Sequence, residues 1–293
     1  MRAIRIEEMG PNSRLEVVDV PQPIPAQDEL LVRVVATAAN RADLMQRAGH
    51  YPPPPGESET LGLEMAGVVA AAGEQCTRFG AGDRVCSLLA GGGYAEYVLI
   101  HESMAMPVPT GVSLVDAAAI PEVFMTAWQA LAWHGALQEG ETALIHAGAS
   151  GVGTAAIQIA REILGATVLI TASAPKHDLC RSLGARDTID YRHEDFAERV
   201  SQLTQGEGAD VILDFMGASY LEGNIKAAAL DGRIIMLALM GGSRADSANL
   251  GLYFRKRLRL HASTLRNRPL AYKAELARAF ETHLSPAFSD GRL

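Results

Sequence analysis

The spacing of apolar and polar positions changes character near residue 120. Before it, apolar runs are short and broken by glycine and proline. Residues 1–8 alternate and predict a first strand, followed by strands over 30–36, 64–71, 83–88 and 94–100. Proline and glycine clusters at 21–25, 52–55, 80–82 and 91–93 separate them. Short strands with such turns predict an antiparallel sandwich or partial barrel. Beyond 120, strands alternate with helices. Residues 142–146 and 167–171 read as strands, as do 188–190, 211–214 and 233–237, with 258–261 as a last one. Between them, 154–164, 176–183, 195–204 and 221–230 carry helical spacing; in the first, Ile157, Ala160, Ile163 and Leu164 share a face. Continuous apolar strands alternating with helices predict a parallel sheet covered on both faces. The fold class is therefore α/β, a β-rich first part joined to a doubly wound second part.

A length of 293 residues accommodates about two domains. Lys plus Arg total 26 against 34 for Asp plus Glu, a net charge of −8. That balance provides no field for nucleic acid or an anionic membrane, and no aromatic–basic interleave marks an RNA surface. No apolar run approaches the length of a membrane span, and the acidic residues near the N-terminus make a poor signal peptide. The three cysteines, Cys76, Cys86 and Cys180, are far apart, with no CxxC. They exclude a disulfide framework and a four-thiolate zinc site and fit a cytoplasmic setting, and Cys86 and Cys180 suit small core residues.

The chemistry starts at Gly148-Ala149-Ser150-Gly151-Val152-Gly153, which follows the first strand of the second part and opens its first helix. Glycines there let backbone approach a pyrophosphate, and the helix start offers N–H donors and partial positive charge. The spacing is GxxGxG, not GxGxxG, so position in the βα alternation carries the reading; a tight turn holding no ligand is the alternative. At the end of the second strand, where an NAD site places a carboxylate on the ribose, the chain reads Thr171-Ala172-Ser173-Ala174-Pro175-Lys176. Ser173 and Lys176 suit a 2′-phosphate, which points to NADP(H), unless Lys176 is simply a solvated lysine. His146 and Ser150 suggest a nucleophile pair only until the turn accounts for both, and no GxSxG elbow is present.

Residues 40–52 (Asn-Arg-Ala-Asp-Leu-Met-Gln-Arg-Ala-Gly-His-Tyr-Pro), 61–64 (Leu-Gly-Leu-Glu), 118–122 (Ala-Ala-Ile-Pro-Glu) and 145–155 (Ile-His-Ala-Gly-Ala-Ser-Gly-Val-Gly-Thr-Ala) carry a resemblance, with Leu213-Asp214, Gly217 and 239–242 after them. Over nearly its whole length the chain resembles the zinc-independent quinone oxidoreductase branch of the medium-chain dehydrogenase/reductase superfamily. It is most similar there to the zeta-crystallin-like enzymes and the tumour-suppressor-inducible quinone oxidoreductase subgroup. The zinc enzymes of that superfamily carry ligands where this chain has Asn40 and Leu63, so no catalytic metal is expected.

The resemblance implies a GroES-like catalytic domain over 1–122, a Rossmann NADP-binding domain over 123–265, and a segment over 266–293 returning toward the first. It implies a cofactor in the cleft between the domains and NADPH-dependent reduction of quinones or α,β-unsaturated carbonyls, by hydride or one-electron transfer. Relatives continue with a further helix and strand, so the chain is expected to be truncated at its end. By matched position, Asn40, Asp43 and Tyr51 line the substrate side, and Thr126 the nicotinamide half. Ser150, Gly151 and Val152 hold the pyrophosphate beside Gly148 and Gly153; Ser173 and Lys176 hold the 2′-phosphate, and Tyr191 lies by the adenosine. Met216, Leu239, Met240 and Gly241 flank the dinucleotide, and Thr264 and Leu265 meet the carboxamide through backbone.

Without zinc, hydrogen-bond donors must meet the negative charge that develops on substrate oxygen. Tyr51 is the first candidate for that proton donor, with the Asn40 amide beside it; packing of Tyr51 on the prolines at 52–55 is the alternative. Asp43 is expected to orient Asn40 or Arg47, and Glu64 to be a buried partner. The expected partner is a small quinone or enone, with no nucleic acid and no membrane. A homodimer is expected through the open sheet edge near Arg259. The competing readings are an enoyl-thioester reductase and a nicotinamide-binding protein with a non-catalytic role.

Overall fold

The computed structural model of the chain describes residues 1–245 and 248–293. Two compact units emerge. One combines Met1–Met125 with Leu265–Arg292; the other is Thr126–Thr264 with the terminal Leu293.

The first unit contains strands β1 (Arg2–Glu7), β2 (Arg14–Asp19), β3 (Glu29–Ala36), β4 (Glu64–Ala72), β5 (Arg84–Leu88), β6 (Tyr97–His101) and β7 (Met106–Pro107). The last five form an antiparallel sheet in the order β6-β3-β4-β5-β7, while β1 and β2 pair as a hairpin. Its core gathers the inward residues Leu30, Val32, Met65, Val69, Val85, Val98 and Ile100. The hydrophobic pattern did not announce β2, and the physical reason is exposure: all but one of its six residues are open to solvent. Helix Arg41–Arg47 follows β3, and helix Pro121–Trp128 opens later in the chain. Residues from 265 onward pack back on this unit, with Arg78 paired to Glu281 at 2.8 Å and the rings of Phe124 and Phe288 4.7 Å apart.

The second unit is built on β8 (Thr142–Ile145), β9 (Thr167–Ala172), β10 (Asp187–Asp190), β11 (Ala209–Asp214), β12 (Ala228–Met236) and β13 (Arg259–Ala262). They pair in parallel in the order β10-β9-β8-β11-β12-β13, the doubly wound arrangement, with the reversal of order between β8 and β11. Successive residues of β9 from Val168 to Ala172 are all buried, as strands covered on both faces require. Leu144, Leu169, Ile189, Ile212 and Ile234 form the middle of the core. The outer strand β13 is exposed along its length.

Two helix boundaries differ from the pattern. The helix expected from 154 begins at Gly151 and continues through wider turns over Ile159–Ile163. Its first turn is glycine-rich and so carries no apolar period. The helix expected to reach 230 ends at Ala227, and β12 begins at once. Asp231, at φ 61, then bends the strand, and its pairing with β11 jumps from Ala209↔Ala228 to Val211↔Arg233. Among the described residues no helix is long and apolar enough to cross a membrane.

Candidate functional site

In a doubly wound sheet the ligand-competent surface is at the carboxyl ends of the strands where the order reverses. Here that means the turn after β8 and the loop after β11. Ser150 caps the helix by accepting the Gly153 amide at 3.1 Å. The helical ladder offers the Gly151 and Val152 amides no acceptor. Both residues are at least partly open to solvent. Gly148 and Gly153 are buried, and each is glycine for a steric reason. A Cβ at Gly148 would lie 2.7 Å from Ile170, and one at Gly153 would run into the carbonyls of Ala147 and Gly148. The helix start is thus pressed onto the strands with its donors outward, a cradle that fits a dinucleotide pyrophosphate.

Under this turn lies His146, fully buried, with Nδ1 3.0 Å from Thr171 Oγ1 and Nε2 2.7 Å from Asn224 Oδ1. An amide oxygen only accepts, so Nε2 carries the proton and Nδ1 accepts from the threonine hydroxyl. Edges of Phe196 and Tyr220 enclose the ring, and burial pushes its pKa down to about 4. His146 is a neutral strut, not a nucleophile's base.

The register pairs Ala172 of β9 with Asp190 of β10, so Ser173 and Tyr191 leave the sheet side by side. Lys176 closes the turn, its amide donating to the Ser173 carbonyl at 2.9 Å, and its side chain is exposed. Arg192, which pattern reading passed over, lies with its guanidinium 5.9 Å from the Tyr191 ring centre. This corner has hydroxyl, ammonium and guanidinium groups and suits a phosphate. Beyond β11, the Asp214 carboxylate accepts the Met216 and Gly217 amides at 2.6 and 3.1 Å. The Gly241 amide donates to the Met216 carbonyl at 2.7 Å, which ties the loops after β11 and β12 together. Leu239 and Met240 are left exposed there. Thr126 is half-buried in its helix, and Thr264 is exposed just after β13. Leu265 is buried in the first unit.

The first unit holds a polar cluster of its own. Asn40 stands ahead of helix Arg41–Arg47 and Asp43 in its first turn; the Asn40 amide N–H donates to Asp43 Oδ2 at 2.7 Å. Asp43 also accepts the Gly62 amide and the Tyr94 hydroxyl, each at 3.2 Å. Arg47 turns elsewhere, to Ser13. The Asn40 side chain donates from Nδ2 to Glu64 Oε1 at 2.8 Å, and the Glu122 backbone amide donates to Glu64 Oε2 at 2.9 Å. Glu64 is 1% exposed, and burial raises its pKa to about 7 against the help of those donors. Glu122, half-buried, is pushed up to about 8 by burial and by the charges of Glu64 and Asp43.

Tyr51 is held from behind by Arg266. That guanidinium, 6% exposed, donates to the carbonyls of Ala90 (2.7 Å) and Tyr51 (3.1 Å) and to Gln46 Oε1 (2.8 Å). It also lies 5.2 Å from the Tyr51 ring centre, in cation–π range. Burial and the Glu122 charge raise the Tyr51 phenol, and the Arg266 charge opposes them. Among the described residues no group bonds the Tyr51 hydroxyl. Asn40, Asp43 and Tyr51 therefore share one cluster with four residues that sequence reasoning gave no role there: Gln46, Tyr94, Glu122 and Arg266. Gln46 and Glu122 lie within the stretches 40–52 and 118–122 that carry the resemblance, without a role of their own there; nothing local marks Tyr94 or Arg266, and Arg266 meets Tyr51 across 215 positions of chain. Among the described residues no group of three or more His, Cys, Asp or Glu is arranged to hold a metal ion. Where a ligand histidine or cysteine would be sought stand the fully buried Leu63 and the engaged Asn40.

Residues 26–110 match the alcohol dehydrogenase GroES-like domain family, and residues 151–281 the zinc-binding dehydrogenase family. A quinone oxidoreductase of Pseudomonas syringae is 33% identical, superposing with a TM-score of 0.85 over 100% of this chain and 90% of its own. The Escherichia coli quinone oxidoreductase, solved in complex with NADPH, is 29% identical, with a TM-score of 0.86 over 100% and 89%. The CurK enoyl reductase is 26% identical, with a TM-score of 0.84 over 100% and 89%. Curated relatives include far longer proteins. The phenolphthiocerol synthesis polyketide synthase Pks15/1 of Mycobacterium bovis is 37% identical over 209 residues, which make up 71% of this chain and 10% of that protein.

Proposed function

Because the chain belongs to the medium-chain dehydrogenase/reductase superfamily, we propose that it is an NADPH-dependent reductase of quinones or α,β-unsaturated carbonyls working without zinc. The reading is carried by the Tyr51 hydroxyl, which has no hydrogen-bond partner among the described residues while its ring and carbonyl are clamped by Arg266. A clamped phenol with a free O–H is a positioned proton donor. When bound, the reduced nicotinamide would supply a hydride. The Gly151 and Val152 amides would hold the pyrophosphate, Ser173 and Lys176 the 2′-phosphate, and Tyr191 the adenosine. Met216, Leu239, Met240 and Gly241 would flank the dinucleotide. Asn40, its amide aimed by Glu64 and its backbone by Asp43, would meet substrate oxygen. Tyr51 would give the proton that neutralises the product.

A second reading, reduction of an enoyl thioester, is favoured by the likeness to CurK enoyl reductase and uses the same donor. The test is nucleotide oxidation with ortho- and para-quinones, short enones and enoyl-CoA, each with NADPH and NADH. Faster turnover of a quinone or enone with NADPH is expected, and Tyr51→Phe should lose about 10²-fold of the enone rate. Preference for enoyl-CoA selects the second reading; full activity of Tyr51→Phe on all substrates removes the donor role.

A further inference from the structure

A buried charge is normally held by an opposite charge, because taking an ion out of water is costly. Arg233 follows that rule, paired with Glu141 at 2.6 Å. Arg266, the other buried arginine among the described residues, does not. It is 6% exposed, and its guanidinium donates from Nε to the Ala90 carbonyl at 2.7 Å, from Nη1 to the Tyr51 carbonyl at 3.1 Å and from Nη2 to Gln46 Oε1 at 2.8 Å. All three acceptors are neutral. Gln46, itself 1% exposed, is fixed from its other end, where Nε2 donates to the Glu59 carbonyl at 2.9 Å. Among the described residues no carboxylate forms an ion pair with Arg266. The guanidinium is therefore rigidly placed, and its positive charge is not spent on a partner.

The group beside that charge is the Tyr51 ring, whose centre lies 5.2 Å from the guanidinium carbon. A cation at this distance attracts the face of a neutral phenol weakly. It attracts a phenolate far more, because the ring then carries a full negative charge at a site partly screened from water. The attraction grows as the Tyr51 O–H bond breaks, and an interaction stronger in the transition state than before it speeds the step. Three acceptors hold the guanidinium in place beforehand, so no reorganisation is needed at that moment. The charged groups around the pair are Asp43 from helix Arg41–Arg47, Glu57 from the loop after Tyr51 and Glu122 at the start of helix Pro121–Trp128. The Glu122 charge opposes ionisation of the phenol, and the Arg266 charge favours it.

We propose that Arg266 is a positioning residue that acts through Tyr51, its unpaired guanidinium serving as the counter-charge for the phenolate formed when Tyr51 gives up its proton. This rests on the reductase reading above. The Tyr51 O–H bond breaks, its proton bonds to the anionic carbon or oxygen of the substrate, and the bonding pair stays on the phenolate oxygen. Tyr51 is only half-buried, so water returns the proton. The electrons of the reduction come from the reduced nicotinamide alone.

The test uses the full chain and reads the phenol and the turnover separately. Difluorotyrosine in place of Tyr51 brings the phenol into a milder pH range, and its fluorine-19 signals are titrated in cofactor-free protein. Arg266→Met and Arg266→Gln remove the charge, and the glutamine keeps a donor for the carbonyls. In both, the phenol midpoint is expected to move up by about one pH unit or more. Arg266→Lys should hold the midpoint near that of the wild type while recovering only part of the lost stability, a split that a merely structural clamp does not produce. With Tyr51 itself in place, Arg266→Met should lower enone kcat about tenfold with KM kept. In a Tyr51→Phe background the same substitution should cost nothing further, since the charge acts through the phenol. If Arg266→Met does not fold, Arg266→Gln supplies each comparison. A midpoint that stays in place in the neutral variants, or an equal loss of kcat with and without the Tyr51 hydroxyl, overturns the proposal while leaving the reductase reading standing. A wild type inert toward every quinone, enone and enoyl thioester overturns both.

Discussion

Acidification should loosen the second unit through His146. The imidazole is fully buried, its two nitrogens are taken by Thr171 and Asn224, and its pKa is lowered from 6.5 to about 4. In the unfolded chain it regains its ordinary value. As pH falls below about 6.5, the unfolded form therefore binds the proton first, and stability is lost until the folded form also protonates near 4. The threonine hydroxyl can turn to accept from a protonated Nδ1, so the geometry survives; what opposes folding is a charge without solvent. At about 1.4 kcal/mol per pKa unit, the interval corresponds to about 3 kcal/mol. Carboxyl groups titrate over the same range, so the measurement is a difference. Urea unfolding of wild type and His146→Gln is compared at pH values spanning that interval. Trp128 and Trp133, the two tryptophans of the chain, lie in the same unit as His146, so fluorescence reports the transition concerned. The variant should be weaker by about 1–2 kcal/mol at neutral pH, having lost well-aligned hydrogen bonds. It should lose about 3 kcal/mol less than wild type on acidification. Parallel pH profiles for the two proteins would refute the reasoning.

Gly153→Ala places a methyl group against the Ala147 and Gly148 carbonyls, which cannot rotate away. It is expected to cost roughly 1–3 kcal/mol in urea unfolding and to weaken NADPH binding at least about tenfold by fluorescence titration. Lys176→Met should raise the Kd for NADPH about tenfold, the loss of about 1.4 kcal/mol from one charge–phosphate contact, and leave NADH unchanged; equal effects on both nucleotides would remove the 2′-phosphate role. Arg266→Met keeps the stem but leaves the carbonyls of Ala90 and Tyr51 and the Gln46 amide oxygen without their donor. About 2–4 kcal/mol of stability should go, after allowing for relief of the buried charge, and Arg266→Lys should recover only part of it because an ammonium lacks the planar fork.

What could be read along the chain was what repeats locally. The middles of β8, β9 and β11 are unbroken apolar runs (143–145, 168–170 and 211–213) because both faces are covered, and a glycine-rich turn directly after such a strand has few structural explanations. Boundaries were lost where the local period is ambiguous or absent, as at Gly151 and at the Ala228 start of β12. The hairpin partner β2 was lost because an exposed strand needs no alternation.

The polar cluster was only half legible for a different reason. Asn40, Asp43 and Tyr51 lie within twelve residues of one another and come with a motif. Their partners arrive from four other places in the chain: Glu64 on β4, Tyr94 ahead of β6, Glu122 at a helix start and Arg266 after β13. Glu64 is the buried partner its stretch suggests, and Glu122 belongs to the stretch 118–122 that carries the resemblance, but Tyr94 and Arg266 are locally unremarkable. Glu122 reads as an acid in a first helical turn, which any helix start favours, and Arg266 follows Thr264 and Leu265 as one more cation. Only closure of the first unit turns them into a backbone donor to the buried Glu64 and a guanidinium with three carbonyl-type acceptors. The chemistry assigned to Tyr51 therefore depends on residues whose meaning is set by long-range pairing. For that reason, substitutions at Arg266 test the site more sharply than substitutions within the motif.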